Sequence, residues 1–157
     1  MNAGIVRKLF RYNRRTGTFV WRVLKGRMLA GATAGTLGNC GIQVQVDGRF
    51  YKVHRLVWLY VHGHWPIGEV DHRNHNTTDN RLSNLRDVPK FVNMQNRSGA
   101  QRNSSTGVLG VVPRGSRFMA RLHIAGKNLH LGTFDTALEA HSIYLKAKRE
   151  RHEGNTL

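Results

Sequence analysis

The stretch VDHRNHNTTDNRLSNLR, residues 70–86, decides how the rest of this 157-residue chain is interpreted. It gathers histidine, asparagine and aspartate side chains into one polar run between two strand-like segments, EVDH (69–72) and NRLSNLRDV (80–88). A helix is predicted to begin near Pro89, because proline suits the first helical position. The order is therefore strand, polar loop, strand, helix. Two interpretations follow: a solvated loop, or a site that holds a metal ion and activates a water.

The second interpretation has a chemical rationale, which is the hydrolysis of a phosphodiester. A divalent cation screens the negative phosphate and stabilises the departing oxygen. The attacking water must lose a proton near neutral pH, and a histidine with a pKa of about 6.5 is suited to accept it. Carboxylate and amide oxygens are hard ligands that suit Mg²⁺.

The chain is strongly basic. Lysine and arginine total 25 against 9 aspartate and glutamate residues, which gives a formal net charge of +16. Such an excess favours a polyanionic partner, because each phosphate contact releases counterions and adds affinity that does not depend on sequence. No apolar run reaches the roughly 18 residues that a membrane-spanning helix needs, and no segment has the pattern of a secretory signal. We therefore expect a soluble, cytoplasmic protein with no membrane partner and no small-molecule cofactor.

Cys40 is the one cysteine in the sequence. This excludes an internal disulfide and any zinc site built from several cysteines, so no structural zinc is expected. Zinc held by clustered histidines such as His62 and His64 stays open as an alternative, since imidazoles can bind zinc without cysteine.

The remaining pattern predicts an α+β protein with two domains. IQVQVDGRFYKV (42–53) alternates about a tight Asp47-Gly48 turn, whereas HRLVWLYVHG (54–63) is too densely apolar for a strand and predicts a helix. Residues 26–41 hold five glycines without a clear period and predict a loop. A basic, aperiodic run predicts a linker at 98–106, which separates a first domain at 1–97 from a second at 107–157.

The second domain is predicted to be a small three-stranded antiparallel sheet packed on one helix. RFMARLHI (117–124) alternates between apolar residues and the set Arg117, Met119, Arg121 and His123. The apolar face is expected to rest on the final helix through Ala140, Ile143 and Tyr144. That helix has capping-box spacing at Thr136 and Glu139, and the basic residues at its end, Lys148 among them, are expected to be solvated.

Three segments together resemble the HNH, or ββα-metal, endonuclease family, in particular its phage and intron-associated homing branch. They are YKVHRLVWLYVHGHWP (51–66), VDHRNHNTTDNRLSNLR (70–86) and NMQN (93–96), and the resemblance covers nearly all of residues 8–97. It implies a ββα-metal core at about 68–97. It also implies cleavage of double-stranded DNA that leaves 5′-phosphate and 3′-hydroxyl ends.

The resemblance implies a role for each matching residue. Asp71 would bind the metal, and His72 would be the general base that activates water. Asn84 matches the asparagine that holds the histidine loop by hydrogen bonds, and Asn93 matches the second protein metal ligand. Because asparagine stands where other members use histidine, the expected ion is Mg²⁺ or Mn²⁺. His54 also matches the pattern, either as an accessory residue or as a packing residue.

The segment from Thr106 to Ala147 is similar to the DNA-binding domain of APETALA and ethylene-response-factor transcription factors, on the strand 118–124, LGTF (131–134) and the helix pattern A…EAH..Y. This similarity implies that the sheet face away from the helix contacts DNA. The expected contact residues on it are Arg114, Arg117, Arg121, His123 and His130. In the first domain, Arg73, Arg81 and Arg86 are expected to contact phosphates.

The sequence thus predicts a metal-dependent homing-type DNA endonuclease, which would act inside a bacterial host cell if a phage encodes it. It would act as a monomer or as a dimer templated by DNA. A non-catalytic, sequence-specific DNA-binding regulator derived from the same fold is the main alternative. An RNA-binding accessory protein would explain the charge but not the Asp71, His72, Asn84 and Asn93 set.

Overall fold

The computed structural model describes residues 1–39 and 41–156, so Cys40 and Leu157 lie outside the described residues. The chain is α+β, as predicted, with short helices and small antiparallel sheets. It divides into two compact units, Met1–Lys90 and Phe91–Leu157. The division falls before the predicted linker at 98–106. No helix in the described part of the chain is long and apolar enough to cross a membrane.

Among its described residues, the first unit contains two α-helices and three small antiparallel sheets. The elements, in order, are α1 (Ala3–Leu9), β1 (Phe10–Asn13), β2 (Thr18–Trp21), β3 (Thr36–Gly38), β4 (Gly41–Val46), β5 (Arg49–Lys52), α2 (Val53–His62), β6 (Glu69–His72) and β7 (Leu85–Val88). The sheets pair β1 with β2, β3 with β4 and β5, and β6 with β7.

The first unit is held together by the apolar side of α2 packed with aromatic residues of β1 and β2. Leu56 and Val57 on the helix, and Phe10 on β1, are fully buried. The ring of Phe10 lies 4.5 Å from that of Trp21. The helix ends where Gly63 adopts a φ of 84° and its N–H donates to the carbonyl of Leu59, which is the left-handed ending that glycine allows. This core carries the β6–β7 pair.

The local predictions for the first unit are confirmed in part. Asp47 and Gly48 both have positive φ, 49° and 77°, and join β4 to β5 in the two-residue turn expected there. The predicted strand at 80–88 is wrong in its first half: Leu82–Asn84 is a 3₁₀ turn, and only Leu85–Val88 pairs as a strand. The predicted loop at 26–41 contains the short strand β3, which pairs with β4.

The second unit begins at Phe91, within α3 (Lys90–Gln95), and continues through β8 (Val111–Arg114), β9 (Arg117–Ile124), β10 (Lys127–Phe134) and α4 (Ala137–Arg151). The three strands form an antiparallel sheet with β9 in the centre. The predicted capping box is present, because the hydroxyl of Thr136 accepts from the N–H of Glu139 and the Glu139 carboxylate accepts from the N–H of Thr136. Ala120 and Leu122 of β9 are fully buried.

Two expectations about α4 are wrong. Ile143, placed on the packed face by its spacing, is exposed, and Ala140, Tyr144 and Ala147 make the contact instead. Lys148, expected in solvent, is only 1% exposed. Its ammonium donates to the backbone carbonyl of Arg97, and this contact takes the side chain inward.

Candidate active site

The β6–β7 pair places Asp71 and His72 at the end of β6, side by side in sequence and both buried. Across the ladder Asp71 faces Arg86 and His72 faces Leu85. The polar loop between the strands begins with a turn in which the N–H of His75 donates to the carbonyl of His72. His75 itself adopts a positive φ of 61°. The two residues expected to do chemistry therefore lie on a strand, and the loop follows them.

Asn84 holds this loop from its far end. Its Nδ2 donates to the carbonyl of Asp79 at 2.8 Å, and its Oδ1 accepts from the backbone N–H of Asn74 at 3.0 Å. Its backbone carbonyl also accepts from the N–H of Arg73. Both ends of the loop are thus joined to one buried amide side chain.

His72 is oriented by Asn80, a residue that the sequence pattern did not single out. The Nε2 of His72 lies 3.2 Å from Oδ1 of Asn80. Asn80 is 1% exposed, and its own backbone carbonyl accepts from the hydroxyl of Tyr12 at 2.8 Å. Because an amide oxygen only accepts, Nε2 carries the proton in the neutral ring and the lone pair is on Nδ1. No periodicity marks Asn80, since its contact crosses the loop.

His54, at the start of α2, lies against the same ring. The ring centroids of His54 and His72 are 4.9 Å apart at an interplanar angle of 82°. Burial, and next the charge of His72, lower the pKa of His54 to about 3. His54 is therefore neutral at physiological pH, and it can neighbour a charged His72 without adding a second positive charge.

Asp71 is paired with a cation of the protein itself. Nε and Nη2 of Arg86 lie 2.8 and 2.7 Å from Oδ2 of Asp71. Arg86, expected to contact phosphate, thus forms an ion pair with Asp71 inside the first unit. Asn93, the other predicted metal ligand, lies in α3 and is half-buried. A carboxylate and an amide oxygen are each a hard donor of the kind that Mg²⁺ and Mn²⁺ take, so each of these two residue types suits such an ion. Among the described residues no three His, Cys, Asp or Glu side chains cluster to hold a metal.

The two loop arginines differ. Arg73 is exposed. Arg81 makes a bidentate pair with Asp79, with Nε 2.8 Å from Oδ1 and Nη2 2.6 Å from Oδ2. The hydrogen bonds from Arg81 hold the pKa of Asp79 at about 2. The guanidinium of Arg81 thus helps to shape the loop.

In the second unit the five predicted DNA-contact residues share one exposed face of the sheet. Arg117, Arg121 and His123 are separated by even numbers of residues on β9, so their side chains are on the same face. Arg114 on β8 lies opposite Arg117, and His130 on β10 lies opposite Arg121. Three of them have partners within the unit. Arg117 binds Asp135, His123 contacts Asn128, and His130 contacts Thr133. The opposite, buried face carries Ala120 and Leu122, which belong to the same apolar cluster as residues of α4.

Residues 51–95 match the family model described as HNH endonuclease. The matched range contains α2, the β6–β7 pair with its loop, and α3. The match supports an HNH nuclease domain, and therefore a hydrolase that acts on DNA. No curated protein and no solved structure matches the chain.

Proposed function

We propose that this protein is a metal-dependent DNA endonuclease of the homing type, which hydrolyses phosphodiester bonds of double-stranded DNA. One observation carries the proposal: the range that matches the HNH endonuclease family contains a buried histidine, His72, whose Nε2 is held by Asn80. The adjacent Asp71 is a buried carboxylate. A base and an oxygen ligand at the same strand end suit attack of water on a phosphate.

His72 is the general base in this proposal. With Nε2 bonded to Asn80, Nδ1 takes the proton from the water that attacks phosphorus. The P–O3′ bond then breaks, and the departing O3′ takes a proton from solvent. The products carry a 5′-phosphate and a 3′-hydroxyl. The neutral ring of His54 and the carboxylate of Asp71 are both compatible with the positive charge that His72 gains.

Asp71 and Asn93 are the residues proposed to hold one Mg²⁺ or Mn²⁺ ion. When bound, the ion supplies neutralisation of the phosphate charge and stabilisation of the leaving oxygen. Asn84 contributes indirectly in this proposal, because its hydrogen bonds fix the loop that contains Asn80.

The basic face of the second unit is proposed to contact the DNA. A small sheet can enter the major groove, where arginine forms paired hydrogen bonds with guanine. Arg121 is exposed in the centre of this face, and Arg114 is exposed at its edge. The first unit adds positive charge, since Asp47 is the single acidic residue among residues 1–68. Arg73 is the proposed phosphate contact near the site.

A non-catalytic DNA-binding regulator is the second candidate. The ion pair of Arg86 with Asp71 favours it, because a guanidinium already compensates the carboxylate that a catalytic ion would need. In that case the loop would be structural, and the basic sheet face would be the functional part.

Incubation of supercoiled plasmid with the purified protein distinguishes these two candidates. The nuclease proposal predicts conversion to nicked or linear DNA with Mg²⁺ or Mn²⁺, and no conversion with excess chelator. A monomer would give nicked circles first, whereas two copies on one site would give linear DNA directly. A gel-shift measurement in chelator runs alongside. DNA binding without cleavage in the presence of every divalent ion tested would favour the non-catalytic DNA-binding regulator.

A further inference from the structure

The helix that carries Asn93 is too short to be stable alone. α3 has six residues, with no acidic side chain in its first turn. Isolated helices shorter than about 12 residues are marginal in water. The position of Asn93 is therefore set by the residues packed against α3 within the second unit.

The segment His152–Thr156, which follows α4, supplies much of that packing. The N–H of Gly154 donates to Oε1 of Gln95 at 3.1 Å, and the hydroxyl of Thr156 donates to Oδ1 of Asn96 at 2.5 Å. A Cβ on Gly154 would lie 2.1 Å from the carbonyl oxygen of Val92. Val92 and Asn96 are buried, and they stand before and after Asn93 in sequence.

The same segment is joined to the sheet. Nε2 of His152 lies 3.0 Å from the backbone carbonyl of His123 on β9, whose side chain is on the proposed DNA face. Just before the segment, the buried ammonium of Lys148 donates to the carbonyl of Arg97, two residues beyond α3. A buried cation is costly unless it is well bonded, so this contact favours one particular placement of residues 95–97.

We propose that the 152–156 segment positions α3, so that Asn93 can serve as a metal ligand, and that it joins the ligand helix to the DNA-contacting strand β9. This inference rests on the proposed function of Asn93. Gly154 is then a positioning residue, because only glycine allows the segment to pass so close to the backbone of α3.

Gly154→Ala tests the proposal, with Gly99→Ala as the matched control. A Cβ on Gly99 meets nothing within 4 Å, and neither glycine has a positive φ. Three quantities are measured on the full chain: Mn²⁺ affinity by electron paramagnetic resonance of the free ion, hydrogen exchange of the amides at 92–96, and plasmid nicking. DNA binding in chelator gives the check on overall folding.

We expect Gly154→Ala to weaken Mn²⁺ binding about tenfold, the lower end of what loss of support behind a ligand costs, and to speed exchange at 92–96. DNA binding should stay within about twofold of wild type, and nicking should recover as Mn²⁺ is raised. Gly99→Ala should match wild type throughout. Wild-type Mn²⁺ affinity in Gly154→Ala would overturn the proposal.

Two further variants separate failure of the positioning role from misfolding and from a wrong assignment of Asn93 as a ligand. If Gly154→Ala does not fold, Thr156→Val takes its place, because it removes one hydrogen bond and adds no bulk; unchanged Mn²⁺ affinity in that variant overturns the proposal. Asn93→Ala tests the underlying assignment. If Asn93→Ala binds Mn²⁺ as wild type does, the assignment of the ligand fails, and the inference fails with it. A loss in Asn93→Ala but none in Gly154→Ala would reject only the positioning role.

Discussion

Arg86 compensates the charge of the carboxylate that we propose binds the metal ion. Its removal should therefore destabilise the protein when the ion is absent, and bound ion should offset part of that loss. Both side chains of the pair are largely buried, 13% exposed for Arg86 and 9% for Asp71. We expect Arg86→Gln to lower the free energy of unfolding by about 2 kcal/mol in chelator, because it removes a charge-assisted hydrogen bond to a largely buried carboxylate. Saturating Mn²⁺ should raise the stability of Arg86→Gln by more than it raises the stability of wild type.

Thermal melts with chelator and with Mn²⁺ measure both effects. Lys25→Gln is the control, since Lys25 pairs with Asp47 on the surface and such pairs contribute no more than about 1 kcal/mol. If Mn²⁺ stabilises Arg86→Gln no more than wild type, Asp71 does not hold the ion.

His54 should make the first unit sensitive to acid. Its pKa is about 3 in the folded protein, because of burial and then the charge of His72, against about 6.5 in the unfolded chain. The unfolded chain therefore binds a proton that the folded chain excludes. This contribution to stability is complete above pH 6.5 and is lost as the pH falls toward 3. The loss amounts to about 2 kcal/mol by pH 5.

Urea unfolding at pH 7.5 and pH 5 measures this dependence. His54→Asn should lose less stability between the two pH values than wild type does. His64→Asn, at an exposed histidine, should keep the wild-type difference. An unchanged difference in His54→Asn would show that His54 takes up its proton normally.

The sequence indicated site residues that follow one another in a recognisable order. It did not indicate their contact partners, which are distant in sequence and are brought near by the fold. The polar loop drew attention to Asp71 and His72, and the resemblance to the HNH family implied Asn84. Neither indicated Asn80 or Arg86 as a partner, because their contacts depend on the register of β6 with β7 and on the path of the loop.

The loop between β6 and β7, residues 73–84, packs against the β1–β2 hairpin. Gly17, in the turn of that hairpin, has a φ of 76°, and a Cβ there would lie 2.5 Å from the backbone nitrogen of Arg81. Gly26 has a φ of 58° and open space around it. Both alanine variants carry the cost of a left-handed backbone, so their difference isolates the contact with the loop.

We expect Gly17→Ala to cost about 2 kcal/mol more than Gly26→Ala, which is within the range for overpacking. It should also slow plasmid nicking, because the displaced loop carries Asn80. Chemical denaturation and nicking rates on both variants check this. Equal stability and equal rates would mean that the loop does not depend on the hairpin.

Elements with a strong local signal were predictable, and those defined by packing were not. The Asp47-Gly48 turn and the capped helix α4 contain their own signals. The strand β3 has three residues in a glycine-rich run and forms by pairing with β4. The face of α4 was misjudged at Ile143 because helical spacing does not show which neighbours cover a residue.

The net charge of +16 on the chain predicts DNA binding that falls steeply with salt. Arg121→Gln and Lys146→Gln each remove one positive charge, the first on the proposed DNA face and the second at an exposed site on α4. If the sheet face contacts phosphates, Arg121→Gln should reduce the slope of log affinity against log salt by about 0.9, whereas Lys146→Gln should not. Fluorescence anisotropy with a labelled duplex over a salt series measures both slopes. Equal slopes would mean that Arg121 neutralises no phosphate.

His72 is proposed to be the base of a metal-dependent nuclease, and the plasmid nicking rate of His72→Ala beside that of His64→Ala tests this role. Both variants lose one histidine, buried in the first case and exposed in the second. We predict that His72→Ala loses metal-dependent nicking by a factor of at least about 100, the lower limit for general-base catalysis, while its DNA affinity in chelator stays near wild type. His64→Ala should nick at the wild-type rate. Nicking by His72→Ala at the wild-type rate would mean that His72 is not the base.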